Sequence, residues 1–186
     1  MRAVVVYESM YGNTHLIADA IGRGLGAAGD VVVMPVKDAS REWVEGADVV
    51  VVGGPTHVHG MSRTSTRKAA VDAAHEPDSP LSLDPDADGP GLRDWLASLG
   101  RVESAAAAFD TRIKAPAAVT GRASKGISRE LRGHGFAIVA KPESFFVTKE
   151  GHLEPGEEAR ALEWGRRLAG GLVRSNRKKD LWTDAK

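Results

Sequence analysis

Val4-Val5-Val6-Tyr7-Glu8-Ser9-Met10-Tyr11-Gly12-Asn13-Thr14 is the stretch on which the reading of this chain turns. Its first four residues are an apolar, mostly β-branched run without polar alternation, the pattern of a short strand buried on both faces of a parallel sheet. Beyond Thr14 the period changes: Leu16, Ile17, Ala20, Ile21 and Leu25 fall at helical spacing, and Gly29 and Asp30 punctuate the end. Ser9 to Thr14 therefore spans the turn from a strand into a helix N-terminus. Such a turn leaves backbone N–H groups unpaired, and the helix dipole adds partial positive charge, so it suits a phosphate group. Ser9 and Thr14 offer hydroxyl donors, Gly12 lets the backbone come close, and Asn13 tolerates turn angles or bonds across to a neighbouring loop. No lysine or arginine lies between Val4 and Ile21, so dipoles and hydroxyls alone would hold the anion. The same residue types also serve as ordinary helix caps.

The strand-and-helix alternation continues outward. Val31 to Val33, Val49 to Val52, Ala105 to Phe109 and Phe136 to Val139 read as further strands, and a last helix from Glu157 to Leu172 turns Ala161, Leu162, Leu168 and Ala169 inward. Glu76 to Pro90 departs from the pattern with four prolines, five acids and no base, which predicts an exposed loop. Leu92, Trp95, Leu96 and Leu99 then resume a helical stripe, so the loop interrupts a crossover and does not separate two domains. The expected organisation is one α/β domain over 1–173 that contains an exposed acidic, proline-rich loop at 76–91. A basic tail at 174–186, with Arg174, Arg177, Lys178 and Lys179, reads as a solvated end.

Composition narrows the function classes. The 186 residues carry 25 Lys plus Arg against 25 Asp plus Glu, and zero net charge disfavours nucleic acid or an anionic membrane as partner. The absence of cysteine excludes disulfides, thiolate metal sites, cysteine nucleophiles and CxxC redox chemistry, so any redox function needs a cofactor. No apolar run reaches membrane-spanning length, and Met1 to Tyr7 enters a strand with no signal-peptide layout, which points to a soluble, cytoplasmic protein.

Ser9, Met10, Tyr11, Gly12, Asn13 and Thr14, at this position, resemble the FMN-phosphate loop of flavodoxin-like proteins, whose pattern is Ser or Thr, any residue, Thr or Tyr, Gly, Asn, Thr. Gly53 and Gly54 followed by Pro55, Thr56, His57, Val58, His59 and Gly60 are similar to the loop that covers one face of the flavin in that family. Phe109, Asp110, Thr111 and Arg112 stand where the family presents its backbone to the pyrimidine edge. The resemblance runs from Ala3 to about Leu172. It implies a three-layer αβα sandwich around a five-stranded parallel sheet of order 2-1-3-4-5. It also implies FMN as cofactor and electron transfer between a reductant and a protein or small-molecule acceptor. In such a sheet the loops after the first, third and fourth strands meet at one switch point, where ligands bind. In related proteins a glycine carbonyl of the second loop turns toward the reactive ring nitrogen, and Gly60 is the corresponding residue. An FMN-dependent NAD(P)H:quinone-type reductase and a flavin-free binding module are the alternatives the resemblance leaves open.

Two departures from the family pattern bear on the chemistry. The second and third loops hold no aromatic ring except His57, His59 and Phe109, and Trp43 and Trp95 sit in helical stripes that suit the core. Gly53 to Lys68 carries Arg63, Arg67 and Lys68 and no acid, whereas acidic carriers surround their ring with carboxylates. Cations facing the ring would stabilise negative charge on it and raise its potential, favouring two-electron chemistry. Other motifs lack the context their chemistry needs. Gly24, Gly26 and Gly29 spell GxGxxG at the end of a helix, the reverse of the dinucleotide-binding order. Gly121 to Ser128 lacks Walker spacing and reads as a capped surface helix. His57 and His59 have no third ligand in sequence for a metal, and Asp110 with His59 as an acid–base pair rests on position alone.

Overall fold

The computed structural model describes the backbone of residues 1–183 and the side chains of residues 1–174. Strand β1 (Arg2–Tyr7) leads into α1 (Asn13–Leu25), then β2 (Asp30–Pro35), α2 (Arg41–Glu45) and β3 (Val49–His57). A short β4 (Gly60–Met61) folds back on β3, and α3 (Thr64–Ala74) and α4 (Leu92–Ser98) form the crossover to β5 (Ala105–Ile113). The chain continues through α5 (Ala117–Thr120), α6 (Ala123–Gly133), β6 (Ala137–Ile138), β7 (Glu143–Val147) and α7 (Glu157–Thr183). The sheet order is β2-β1-β3-β5-β6, every pairing on this path being parallel, with β7 also on β5. Counting main strands, this is the expected 2-1-3-4-5 arrangement between two helical layers.

The unbroken apolar strand runs account for the layers. Because side chains alternate across a strand, Val4, Val6, Val50, Val52, Ala106 and Ala108 turn to one face and pack with Val44, Trp95, Leu96, Ile127 and Leu131 of α2, α4 and α6. Ala3, Val5, Val49, Val51, Ala107 and Phe109 turn to the other face and meet Ile17, Ile21 and Leu25 of α1 and Ala161, Trp164 and Leu168 of α7. Fully burying a valine side chain stabilises by roughly 1.5 kcal/mol or more, so the four valines of Val49–Val52 alone are a large contribution. Gly24, the first glycine of GxGxxG, and Gly165 serve this packing: a Cβ on Gly24 would collide with the Leu162 carbonyl, and one on Gly165 with the Ile21 carbonyl. They let the α1 and α7 backbones touch.

The fifth strand differs from expectation. Its amino-terminal part, Ala137 and Ile138, pairs with Ala105 and Ala106, and a second part, Glu143–Val147, pairs with Phe109–Ile113. Pro142 interrupts the ladder because it has no N–H to donate. The reading that ended this strand at Val139 therefore missed β7. Helix α7 runs past Leu172 to Thr183, into the expected tail. The side chains of Arg177, Lys178 and Lys179 and all of residues 184–186 lie outside the described residues. No helix among the described residues is long and apolar enough to cross a membrane.

Candidate functional site

Strands β1, β3, β5 and β7 all end at one edge, and a cavity of about 250 Å³ opens there. Met10, Tyr11, Asn13 and Thr14 line it from the β1–α1 turn, Pro55, Thr56 and His57 from β3, and Thr111, Arg112 and Ile113 from β5. The remaining walls are Leu81 from the acidic loop and Val147, Thr148, Lys149 and Gly151 from the β7–α7 turn. Its volume is just below the range of about 300 to 1,000 Å³ usual for small-molecule sites.

The β1–α1 turn is built by local chemistry. Gly12 caps α1 at φ +87°, a conformation that glycine adopts without Cβ strain. Buried Ser9 sits beneath it, its Oγ accepting the Gly12 N–H at 3.1 Å. Thr14 shares a 2.7 Å hydroxyl bond with Thr111, and Asn13 Nδ2 donates to the Gly151 carbonyl at 2.7 Å. The first α1 backbone bond runs from Leu16 N–H to the Gly12 carbonyl. The N–H groups of Tyr11, Asn13, Thr14 and His15 find no acceptor among the described residues. That donor set fits a phosphate: several N–H groups at one helix N-terminus, and no carboxylate in the cavity wall.

The other two expected loops are mostly strand. Pro55, Thr56 and His57 extend β3, and only Val58 and His59 form a turn, both at positive φ (44° and 71°). Val58 is 81% exposed, and a β-branched residue there is strained. Gly60 pairs with His57 in the antiparallel β3–β4 hairpin, and His59 bridges to Gly121. None of Val58, His59 and Gly60 lines the cavity. Phe109 to Arg112 lie inside β5, so they alternate across the sheet. Thr111 and Arg112 reach the cavity. Phe109 is fully buried with its ring over Gly53, where a Cβ would collide with it, and edge-on to Phe145 and Trp164. Asp110 is also fully buried, and its Oδ2 accepts the Ser124 N–H at 2.7 Å while Thr56 Oγ1 accepts that of Ala123. These two bonds cap α6. They explain why Gly121 to Ser128 starts a helix, and Asp110 has no bond to His59.

Electrostatics separate the residues further. Burial holds the His57 imidazole below its ordinary pKa, which keeps it neutral near pH 7. Burial also lowers Arg112 from the usual arginine range, although guanidinium stays charged. Its Nη1 donates to the Ala115 carbonyl and Thr120 Oγ1, and its guanidinium lies over the Phe146 ring. Of the three cations expected to face a ring, Arg67 is 3.2 Å from buried Glu8, Lys68 pairs with Asp72, and Arg63 is exposed outside the cavity, so the cations in the cavity wall are Arg112 and Lys149.

The segment 76–91 has no helix or strand and is mostly exposed, yet it is pinned beside the β1–α1 turn. Asp84 is buried; its N–H donates to the Met10 carbonyl and its Oδ2 lies 3.3 Å from His15 Nδ1. Asp86 accepts from Tyr7 OH at 2.8 Å and pairs with Lys37 at 2.8 Å. Burial and Asp86 push the Tyr7 phenol up, and the Lys37 bond pulls the Asp86 carboxyl below the ordinary carboxylate range. His15, Asp84 and Asp86 place candidate ligand atoms within 4.8 Å of one another, but Lys37 and Tyr7 already satisfy Asp86. Leu81 and the 147–151 turn were absent from the sequence reading. Recognising Phe145-Phe146-Val147 as a strand would have put its turn at the same edge.

The sequence model of the flavodoxin family matches residues 5–109, from β1 through Phe109. The chain belongs to the flavodoxin family. Among solved structures, this flavodoxin-family chain is similar to a flavodoxin from the domain Archaea, with 21% identity and a TM-score of 0.64 over 93% of this chain and 99% of that one. It is also similar to oxidised Flavodoxin 1 from Bacillus cereus, with 18% identity and a TM-score of 0.61 over 94% and 98% of the two chains. A WrbA-like flavodoxin from Agrobacterium tumefaciens aligns at 19% identity and a TM-score of 0.57, over 93% and 98%. No curated protein matches the chain.

Proposed function

We propose that this flavodoxin-family protein binds FMN at the carboxyl edge of its sheet and serves as an electron-transfer protein, exchanging electrons with a protein or small-molecule acceptor in the cytoplasm. The supporting observation is the β1–α1 turn, where Gly12 at positive φ and unpaired N–H groups open α1 onto the cavity. FMN, when bound, would accept and release electrons at its ring system. In this reading Ser9, Met10, Tyr11, Gly12, Asn13 and Thr14 hold the phosphate through main-chain donors. Pro55, Thr56 and His57 bound the ring on one side, with Val58, His59 and Gly60 forming the turn above. Thr111 and Arg112 flank the pyrimidine edge, and Phe109 and Asp110 position them from the core. Leu81, Ile113 and Val147 give apolar walls that exclude water, where the family often uses large aromatics. The flavodoxin-like unit is taken as one domain over 1–173, with 174–186 as a tail. Purified protein that is yellow with stoichiometric FMN supports the reading. Colourless protein that also refuses added FMN rejects it in favour of a flavin-free binding module.

One observation favours a second reading within the flavin class. The cavity wall carries Arg112 and Lys149 and no carboxylate. Positive surroundings ease accumulation of negative charge on a reduced ring, which suits two-electron reduction of quinone-type substrates by NAD(P)H. Turnover of NADPH and a quinone by the FMN-loaded protein alone would establish that reading over the carrier.

A further inference from the structure

Val58, at 81% exposure, Val119, at 64%, and Ile113, at 44%, are among the few large apolar side chains that the described residues leave in solvent. All three belong to one lip of the cleft. Ile113 lines the cavity, Val58 follows the cavity residue His57, and Val119 lies two residues before Gly121, which bridges to His59. Ala117 and Ala118 are exposed beside Val119 on α5. The result is an apolar platform at the cavity mouth. Its rim is cationic. Gly53 to Lys68 and Thr111 to Ser128, the two segments that build this lip, contain seven Lys and Arg and no acid. Arg63, Lys125 and Lys149 are exposed and form no ion pair among the described residues, whereas Lys114 is taken by Glu154 at 3.3 Å. Glu150, next to Lys149, is the exposed acid of the neighbouring β7–α7 turn.

We propose that this platform is the docking surface for a small, acidic electron-transfer protein. An apolar centre within a charged rim is the usual anatomy of a specific protein contact. The exposed charges on the two segments that build this lip are all positive, so a partner of opposite sign is steered onto it and like-charged proteins are turned away. A second copy of this chain is disfavoured, because a two-fold contact through the platform would oppose cationic rim to cationic rim. A partner seated there covers the cavity mouth, the position from which electrons reach a group bound inside. The proposal rests on the electron-transfer reading for the partner's redox nature and on the surface alone for its charge.

The test measures binding of the FMN-loaded protein to an acidic plant-type [2Fe–2S] ferredoxin and to basic mitochondrial cytochrome c, by titration calorimetry at low and at physiological ionic strength. The expected result is ferredoxin binding that weakens about tenfold or more as salt rises, with no binding of cytochrome c. Val119→Asp and Lys125→Glu should each weaken the ferredoxin complex about tenfold, with unchanged circular dichroism and FMN affinity. Binding of cytochrome c instead, ferredoxin binding that ignores salt or both variants, or no ferredoxin binding at low salt would overturn the proposal. So would platform-dependent self-association in sedimentation, or capture by vesicles of anionic phospholipid that Val119→Asp abolishes. FMN content is read separately by absorbance. The same calorimetry is run on flavin-free protein, so a sample that takes up no flavin fails the electron-transfer reading while its ferredoxin binding still decides the docking surface.

Discussion

The two lips of the cleft are opposites in charge and in how that charge is held. On the β1–α1 side three acids are tied down locally: Asp84 on His15, Asp86 on Tyr7 and Lys37, and Glu8 on Arg67 and the Leu92 N–H. On the side built by the β3–β4 turn and the segment from β5 to α6, Arg63 and Lys125 project with no ion-pair partner among the described residues. Zero net charge hides this polarity. Local pairing secures an otherwise irregular, proline-rich segment beside the turn proposed to hold the phosphate, and unpaired charge remains available to whatever approaches the cleft mouth.

The largest expected effect breaks the acidic lip. Glu8 is 4% exposed and collects Arg67, Ser62 Oγ and the Leu92 N–H, so it fastens both ends of the excursion between β4 and α4. Glu8→Ala leaves Arg67 without its partner in a mostly buried site and should cost about 3 to 5 kcal/mol, read by urea unfolding. Next is Thr14→Val, which strands the buried Thr111 hydroxyl; it should cost about 1 to 3 kcal/mol, with much of the loss recovered in the Thr14→Val, Thr111→Val double variant. On the cationic side Arg112→Gln should lower the midpoint potential of the bound flavin in spectroelectrochemistry, an effect softened by Asp110 behind it.

The smallest effect concerns His57 between the lips. The fold holds this imidazole neutral below its ordinary 6.5, whereas the unfolded chain protonates near that value. Just below pH 6.5 the unfolded state therefore binds more protons, and stability falls as pH drops through the window down to the depressed folded value. His57→Asn should flatten that part of the stability profile. A profile that stays unchanged would mean that His57 is solvated in the fold.

Much of this was legible in the residues. Unbroken valine runs announce buried parallel strands, and Ser9 to Thr14 between a strand and a helix marks the turn. Exact extents were less legible, since β3 continues five residues beyond its apolar run, Gly53 to His57, and β5 four, Asp110 to Ile113. These polar extensions look like loops because residues bordering a cavity need no apolar alternation. Phe109 reads as a site residue from sequence because its place at the end of a strand does not say which face it turns to. The β7–α7 turn was hidden by Pro142, which breaks one strand position into two pieces. The pinning of 76–91 was invisible for a different reason: its composition has no periodic signal, and its contacts to His15, Tyr7 and Lys37 are long-range.

The most direct test of the central claim compares FMN with riboflavin, which differ only in the phosphate. Fluorescence titration of flavin-free protein should give FMN binding tighter by at least about a hundredfold, since each hydrogen bond to a charged group contributes about 1.5 to 3 kcal/mol. Gly12→Val should erase that preference by distorting the turn. Equal affinity for the two flavins would contradict the account.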